Sequence, residues 1–356
     1  MCIRDSDHAG RPVGLTVTAA DCSGRQVTLA DDVGYLPFGP LRAVTHGTVA
    51  ETFEHDWRYQ MTAQHAEVPQ LPPSPGGGGG GPKSKPATVE ENRTYTSDAA
   101  GNLTGVDDAV WPERNRVAHY DDLHRLVAVD APASFGRIDY VYDDLGNRLQ
   151  KRVGPVATQD VWDYTYVGTT SVLDGIDETP FGGGTTVHDI DHDPAGNLVL
   201  DELSTYEYQP RNTLDGQLSG GADRFRWSFN AAGLRVHTDG PLPGTGTVTH
   251  LLLPDGQLGH EIFADAGVPT EEWTYVYLAG RLLARVAADG SPEFVISDHI
   301  AYPLATHAED GEVLWEADGR PFGEVEAVLA GDEAHDPRLR YPGQWVVAGV
   351  PAGSTE

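Results

Sequence analysis

Cysteine is almost missing from this 356-residue chain: only Cys2 and Cys22 occur, both near the N-terminus. Two thiols so placed cannot build a disulfide framework, so the fold must rest on packing and hydrogen bonds. Basic residues are scarce too, with 24 Lys+Arg against 54 Asp+Glu and a formal charge of −30. That balance opposes binding to a phosphate backbone or to an anionic membrane surface. Lysine is confined to Lys83, Lys85 and Lys151, an arginine bias that fits genomic base composition or salt tolerance. No run approaches 18 apolar residues, which excludes a helical membrane span, and the start shows neither a basic n-region nor an apolar h-region. Long amphipathic windows with a 3.6-residue period and caps are also lacking, so any helices should be short.

What the chain has is enough apolar material for one large core or two ordinary ones, 39% by composition, together with 42 glycines and 25 prolines. Turns must therefore be frequent. Between Gln64 and Pro86 stand Pro69, Pro72, Pro73, Pro75, the glycine run Gly76 to Gly81 and Pro82, a composition that reads as a linker or long loop. Elsewhere the dominant signal is a period of two. Phe225, Trp227 and Phe229 occupy alternate positions, as a half-buried strand requires. Trp162, Tyr164 and Tyr166 repeat the pattern, as do Ile138, Tyr140 and Tyr142, and Tyr275 with Tyr277.

The strands are punctuated by similar turns. In Tyr142-Asp143-Asp144-Leu145-Gly146-Asn147 an aspartate opens the bend and Gly146 stands where a positive φ is needed. Variants place Gly101 with Asn102, Gly196 with Asn197, then Gly233, Gly256 and Gly280 at the bend, and Tyr120 to Leu126 supplies another with His124 in the glycine position. The unit is about 20 to 25 residues, two strands and two turns, and such hairpins must stack to bury a face. Paired carboxylates at Asp31-Asp32, Asp107-Asp108, Asp121-Asp122 and Asp143-Asp144 are expected as solvated turn residues.

These Tyr-Asp-x-x-Gly-Asn units resemble the YD repeats of RHS-repeat proteins. Tyr35-Leu36-Pro37-Phe38-Gly39 and His55-Asp56-Trp57-Arg58-Tyr59 extend the resemblance toward the N-terminus. The most specific part is C-terminal, where Tyr277 to Ala284, Asp298-His299, Pro303-Leu304, Asp310-Gly311, Trp315, Pro321-Phe322-Gly323 and Leu339 to Trp345 follow in the order of the RHS-associated core. The resemblance runs from about Gly34 to Trp345. It implies an all-β fold of YD-repeat hairpins stacked into a curling sheet or partial hollow shell. It also implies a structural wall segment of a secreted or cell-surface, polymorphic-toxin type protein, without enzymatic activity or cofactor. The implied partners are the chain's own C-terminal effector and a delivery apparatus, with no nucleic acid and no membrane span. The corresponding segments are N-terminal repeat strands over 1–63, the linker over 64–88, YD repeats over 89–250, the core over 251–345 and a truncated tail over 346–356. The opening Met1 to Ser6 looks like adaptor-derived sequence, and the family's cleavage region and effector do not follow Trp345, so a fragment is expected. His124 and the Ile300-Ala301-Tyr302 string depart from the family pattern, so looser bends are expected there.

Several strings imitate functional motifs. His188 to Asp193 opens like a calcium loop, but Pro194 replaces the required glycine and Leu200 the bidentate glutamate. Read as one strand, it would set His188 and His192 on one face and aspartates on the other, a place for adventitious cations at most. The glycine run before Lys83 lacks phosphate-loop spacing, and His260-Glu261 lacks a second histidine ligand at 264. Asp298-His299 is a candidate acid/base pair for a hydrolase, although no G-x-S-x-G elbow accompanies it. A surface adhesion or glycan-binding protein with outward-facing aromatics is the other alternative.

Overall fold

Alternating side chains and tight aspartate-glycine bends dictate antiparallel hairpins, and the described residues form little else. The structure, a computed structural model, describes residues 2–18, 26–69, 90–201, 204–219, 222–242, 245–340 and 344–345. Cys22, most of the Pro/Gly-rich segment, Tyr341 to Gly343 and the tail beyond Trp345 lie outside the described residues. Among the described residues consecutive strands pair within three sheets: one of 15 strands from Cys2 to Asp189, a second of 14 from Asp191 to Gly331, and a third of two, Leu339–Arg340 with Gln344–Trp345. Helix among the described residues is limited to two three-residue 3₁₀ turns, Pro112–Arg114 and Glu333–His335.

The chain divides into two compact units. The first gathers residues 1–96, 106–112 and 272–356. Its core joins the beginning of the chain to its end: Leu15, Val27, Leu29, Val44 and Phe53 pack with Val276, Leu283, Val286 and Phe294. Val49 and Ala66 likewise pack with Ile296 and Ala305. Strands Arg281–Ala287, Pro292–Ser297 and Pro303–His307 are consequently buried on both faces. The period-two expectation for Tyr275 and Tyr277 fails for the same reason, since Val276 and Leu278 between and beyond them are buried as well. Full coverage of a sheet removes the polar face that alternation records.

The second unit takes 97–105 and 113–271. Val129, Phe135, Ile138, Tyr140 and Val153 pack together as its buried apolar cluster. Here the alternation is realised as expected: in strand Ala222–Phe229, Phe225 and Trp227 are buried while Arg226 and Ser228 are exposed. The His188 to Asp193 string does not form one strand. Strand Thr186–Asp189 ends the first sheet, the Ile190 amide donates to the Asp174 carbonyl, and Asp191–His192 begins the second.

Candidate functional site: the turn ladder and a buried polar cluster

The turns share one five-residue geometry. At Asp143 the backbone amide donates to the Asn147 carbonyl (2.9 Å), and the Gly146 amide returns to the Asp143 carbonyl (3.1 Å). The Asp143 carboxylate collects the Leu145 and Asn147 amides and the Asn147 side-chain amide at 2.8 to 2.9 Å. Partial shielding from water works against its ionisation, but these hydrogen bonds prevail and hold the carboxyl below the usual range. Gly146 has φ +88°, as the sequence required. Asp98 with Gly101 and Asn102 and Asp193 with Gly196 and Asn197 repeat the arrangement, and Asn230 opens the bend that contains Gly233.

The two bends expected to be looser are closed in the same way. His124 sits at φ +62° with its amide 2.9 Å from the Asp121 carbonyl, and Ala301 at φ +67° with its amide 3.1 Å from that of Asp298. The aspartate's backbone bonds outweigh the cost of a left-handed non-glycine residue, about 1 to 2 kcal/mol. Gly280 departs in the other direction: Leu278 pairs directly with Arg281, leaving a two-residue bend with Ala279 and Gly280 at φ +51° and +80°.

Why tyrosine precedes the aspartate is visible in the hydrogen bonds. The Tyr142 hydroxyl donates to the carbonyl of Leu126, the residue just past the preceding turn, at 2.9 Å. Tyr120 reaches Leu103, Tyr166 reaches Arg148 and Tyr35 reaches Pro12 in the same way, at 2.8 to 2.9 Å. Burial pushes all four phenols above the usual tyrosine range, which keeps the donor proton in place. The last turn residue reaches forward: Arg125 donates to the Asp143 carbonyl (2.8 Å) and lies over the Tyr142 ring (4.9 Å). Arg11 does the same to Leu36 and Tyr35. At Tyr142-Asp143 the repeat is thus tied to its predecessor through both halves of the pair.

The second feature is a buried polar cluster in the first unit. His307 Nδ1 lies 2.8 Å from the Ala308 carbonyl, and its Nε2 lies 2.9 Å from His46 Nδ1. A carbonyl only accepts, so His307 Nδ1 carries the hydrogen and, in the neutral ring, Nε2 accepts one from His46. His46 Nε2 then faces Glu51 (3.2 Å), and that contact needs one proton on the histidine or the carboxyl. Gln64 continues the chain, donating to Glu51 and to the Ser297 carbonyl (2.8 Å each) and accepting from the Tyr95 hydroxyl (3.0 Å). Burial, followed by the neighbouring His46, drives the His307 pKa well below the usual imidazole range.

Two arginines are buried alongside. Arg93 donates to Asp108 (2.8 Å) and pairs with Glu91 (3.3 Å). Asp108 is therefore no solvated turn residue: it caps the Val110 and Trp111 amides while neutralising Arg93. Asp31 and Asp32 likewise lie within strand Gln26–Tyr35 rather than in a turn. Arg285, fully enclosed, bonds Glu293 (2.7 Å) and the carbonyls of Ala334 and Asp336 (3.0 Å each), and its guanidinium lies 4.2 Å from the Trp273 ring centre.

Of the other sequence-selected residues, Asp298 uses Oδ1 on the Ile300 and Tyr302 amides (2.9 Å each), and His299 Nδ1 is 3.7 Å from its Oδ2. His299 packs against Tyr95, ring centres 4.9 Å apart. Asp310 and Gly311 form the bend from Ala308 to Glu312, Pro321 to Gly323 form that from Arg320 to Glu324, and Trp315 is buried in the first unit. His46, Glu51, Gln64 and Arg285 were missed by sequence reasoning, and only the isolated buried arginine of Leu282-Leu283-Ala284-Arg285-Val286 carries a local signal. Among the described residues, no group of three or more His, Cys, Asp or Glu side chains is placed to hold a metal ion.

Fold and site together define an all-β protein of serially linked antiparallel hairpins. No family model matches the chain, and no curated protein matches it by sequence. Solved structures do. The chain is similar to one in the crystal structure of TcdB2-TccC3-Cdc42, with a TM-score of 0.71 at 14% identity over 96% of its length. It is similar as well to one in the Photorhabdus luminescens Tc holotoxin pore (TM-score 0.65, 15% identity, 96% covered). TcdB2-TccC3 without its hypervariable C-terminal region gives 0.64 at 15% identity, again over 96%. In each case the match spans 18% of the other chain. At these identities the likeness establishes the fold.

Proposed function

We propose that this chain is a structural wall segment of an RHS-type secreted toxin protein, and that such a wall encapsulates a C-terminal effector. The observation that carries the reading is the turn ladder, in which the hydroxyls of Tyr35, Tyr120, Tyr142 and Tyr166 close on the strand after the preceding bend. A polypeptide built this way makes continuous sheet rather than a discrete site, which suits enclosure. The fold likeness to TcdB2-TccC3 chains supports a role within a toxin assembly. The segment itself is read as non-enzymatic, because the Asp298 carboxylate is engaged by its own turn. The adhesion alternative finds no stacking platform in the strand aromatics Tyr140, Phe225, Trp227 and Tyr275, which are buried; the exposed aromatics Phe38, Trp57, Phe181 and Phe322 stand in turns.

The test is the reading frame beyond Glu356. The chain co-expressed with its natural continuation should hold a downstream domain that resists protease until the wall is denatured. A continuation that is digested at the same rate with and without this segment, or that is a wall anchor, would overturn the proposal.

A further inference from the structure

The first unit contains a cleft of about 340 Å³ that the turn ladder does not use. Leu41, Phe53 and Met61 supply an apolar wall, while Arg281, His55 and His299 supply the polar groups. We propose that this cleft binds a small organic carboxylate carried on a flat apolar body, and the proposal does not rest on the toxin-wall reading.

The lining sets a cation beside an aromatic ring. The Arg281 guanidinium lies 5.0 Å from the centre of the Phe53 ring and donates to the Ser297 carbonyl. Its other N–H groups have no partner among the described residues, which leaves a forked donor suited to a carboxylate. The Nδ1 atoms of His55 and His299 are shielded from solvent yet have no hydrogen-bond partner, and His299 Nδ1 is too far from Asp298 to bond it. Closed to solvent, neither nitrogen is reachable from the cleft, so the polar contact open to a ligand is Arg281. Tyr59, Ala279 and Ala301 line the same cleft with φ of +64°, +51° and +67°, each as a left-handed residue of its own bend.

Charge and size choose the ligand class. Burial lowers both imidazole pKa values, and the nearby Arg281 lowers them further, so both rings are neutral near pH 7 and Arg281 is the cation. A monoanion matches it. The volume admits roughly one aromatic ring with its acid group, at the small end of ligand pockets.

Isothermal titration with phenylacetate tests the inference, with benzyl alcohol as the probe of similar body lacking the acid. Phenylacetate should bind one-to-one with a Kd on the order of 1 mM or tighter, benzyl alcohol at least about tenfold more weakly, and Arg281→Met should remove the difference. Because Arg281 also holds the Ser297 carbonyl, Ile300→Trp on the exposed rim provides a second variant that should block binding with an unchanged Tm. A short peptide ending in phenylalanine that competes with phenylacetate would identify a chain terminus as the carboxylate source; failure to compete would assign it to free acids. Absence of saturable phenylacetate binding, or equal binding of the two probes, overturns the proposal.

Discussion

Acidification should loosen the first unit through His307, and a glutamine at that position should remove the effect. The ring is enclosed, bonded to the Ala308 carbonyl and to His46, and stacked with Phe294 at 5.3 Å. Its folded-state pKa is depressed well below 6.5, by burial first and by His46 second. The unfolded chain therefore takes up a proton as pH falls through about 6.5, while the folded ring does not, and stability declines until the lower folded pKa is reached. For one histidine the loss between pH 7 and pH 5 amounts to about 2 kcal/mol, or roughly 4 to 8 °C in Tm for a unit of this size. In His307→Gln the carboxamide oxygen can accept from His46 Nδ1 and the amide can donate to Ala308, so the bonds persist without a titrating group. His299 and His55, also depressed, contribute equally to both proteins. The turn carboxyls of Asp7 and Asp56 are held below the usual carboxylate range by their turn hydrogen bonds, outside this window. Parallel Tm-against-pH curves for wild type and His307→Gln would refute the reasoning, whatever their absolute offset.

Other substitutions address the remaining supports. Gly146→Val should cost about 1 to 3 kcal/mol by thermal denaturation, wholly from backbone strain, because an added Cβ there meets nothing within 4 Å. Gly47→Ala should be worse than strain alone, since φ is +58° and the Cβ would lie 2.5 Å from the Glu309 carbonyl oxygen. Tyr142→Phe deletes the bond to Leu126 and should lower stability by about 0.5 to 1.5 kcal/mol in urea titration; an unchanged midpoint would remove the hydroxyl from the account of the repeat. Arg93→Met leaves the Glu91 and Asp108 carboxylates buried without their cation and should cost about 3 to 5 kcal/mol by urea titration at pH 7.

What the sequence disclosed and what it withheld divide according to contact range. A bend such as Asp143 to Asn147 is closed by groups at most four residues apart, so residue types and spacing suffice to read it. Even the His124 and Ala301 bends obey the same local bonds, and the expectation of looseness failed because it weighed the missing glycine above the aspartate that organises the turn. The cluster of His46, Glu51, Gln64 and His307 is different in kind. Its links reach across 233 and 261 residues of chain, and a lone histidine at the end of strand Leu41–His46 gives no local indication of its partner. The same long-range packing of the chain's beginning on its end erased the alternation in strands Arg281–Ala287 to Pro303–His307. Those strands read as continuous apolar runs interrupted by polar residues, and the buried interruptions Arg285, Glu293 and Thr306 each have a specific acceptor or donor waiting in the folded unit. Repeats thus specify the sheet locally, while the polar residues within its covered part specify which distant segment may cover it. An apolar substitute at such a place would leave the covering segment's carbonyls or charges without partners.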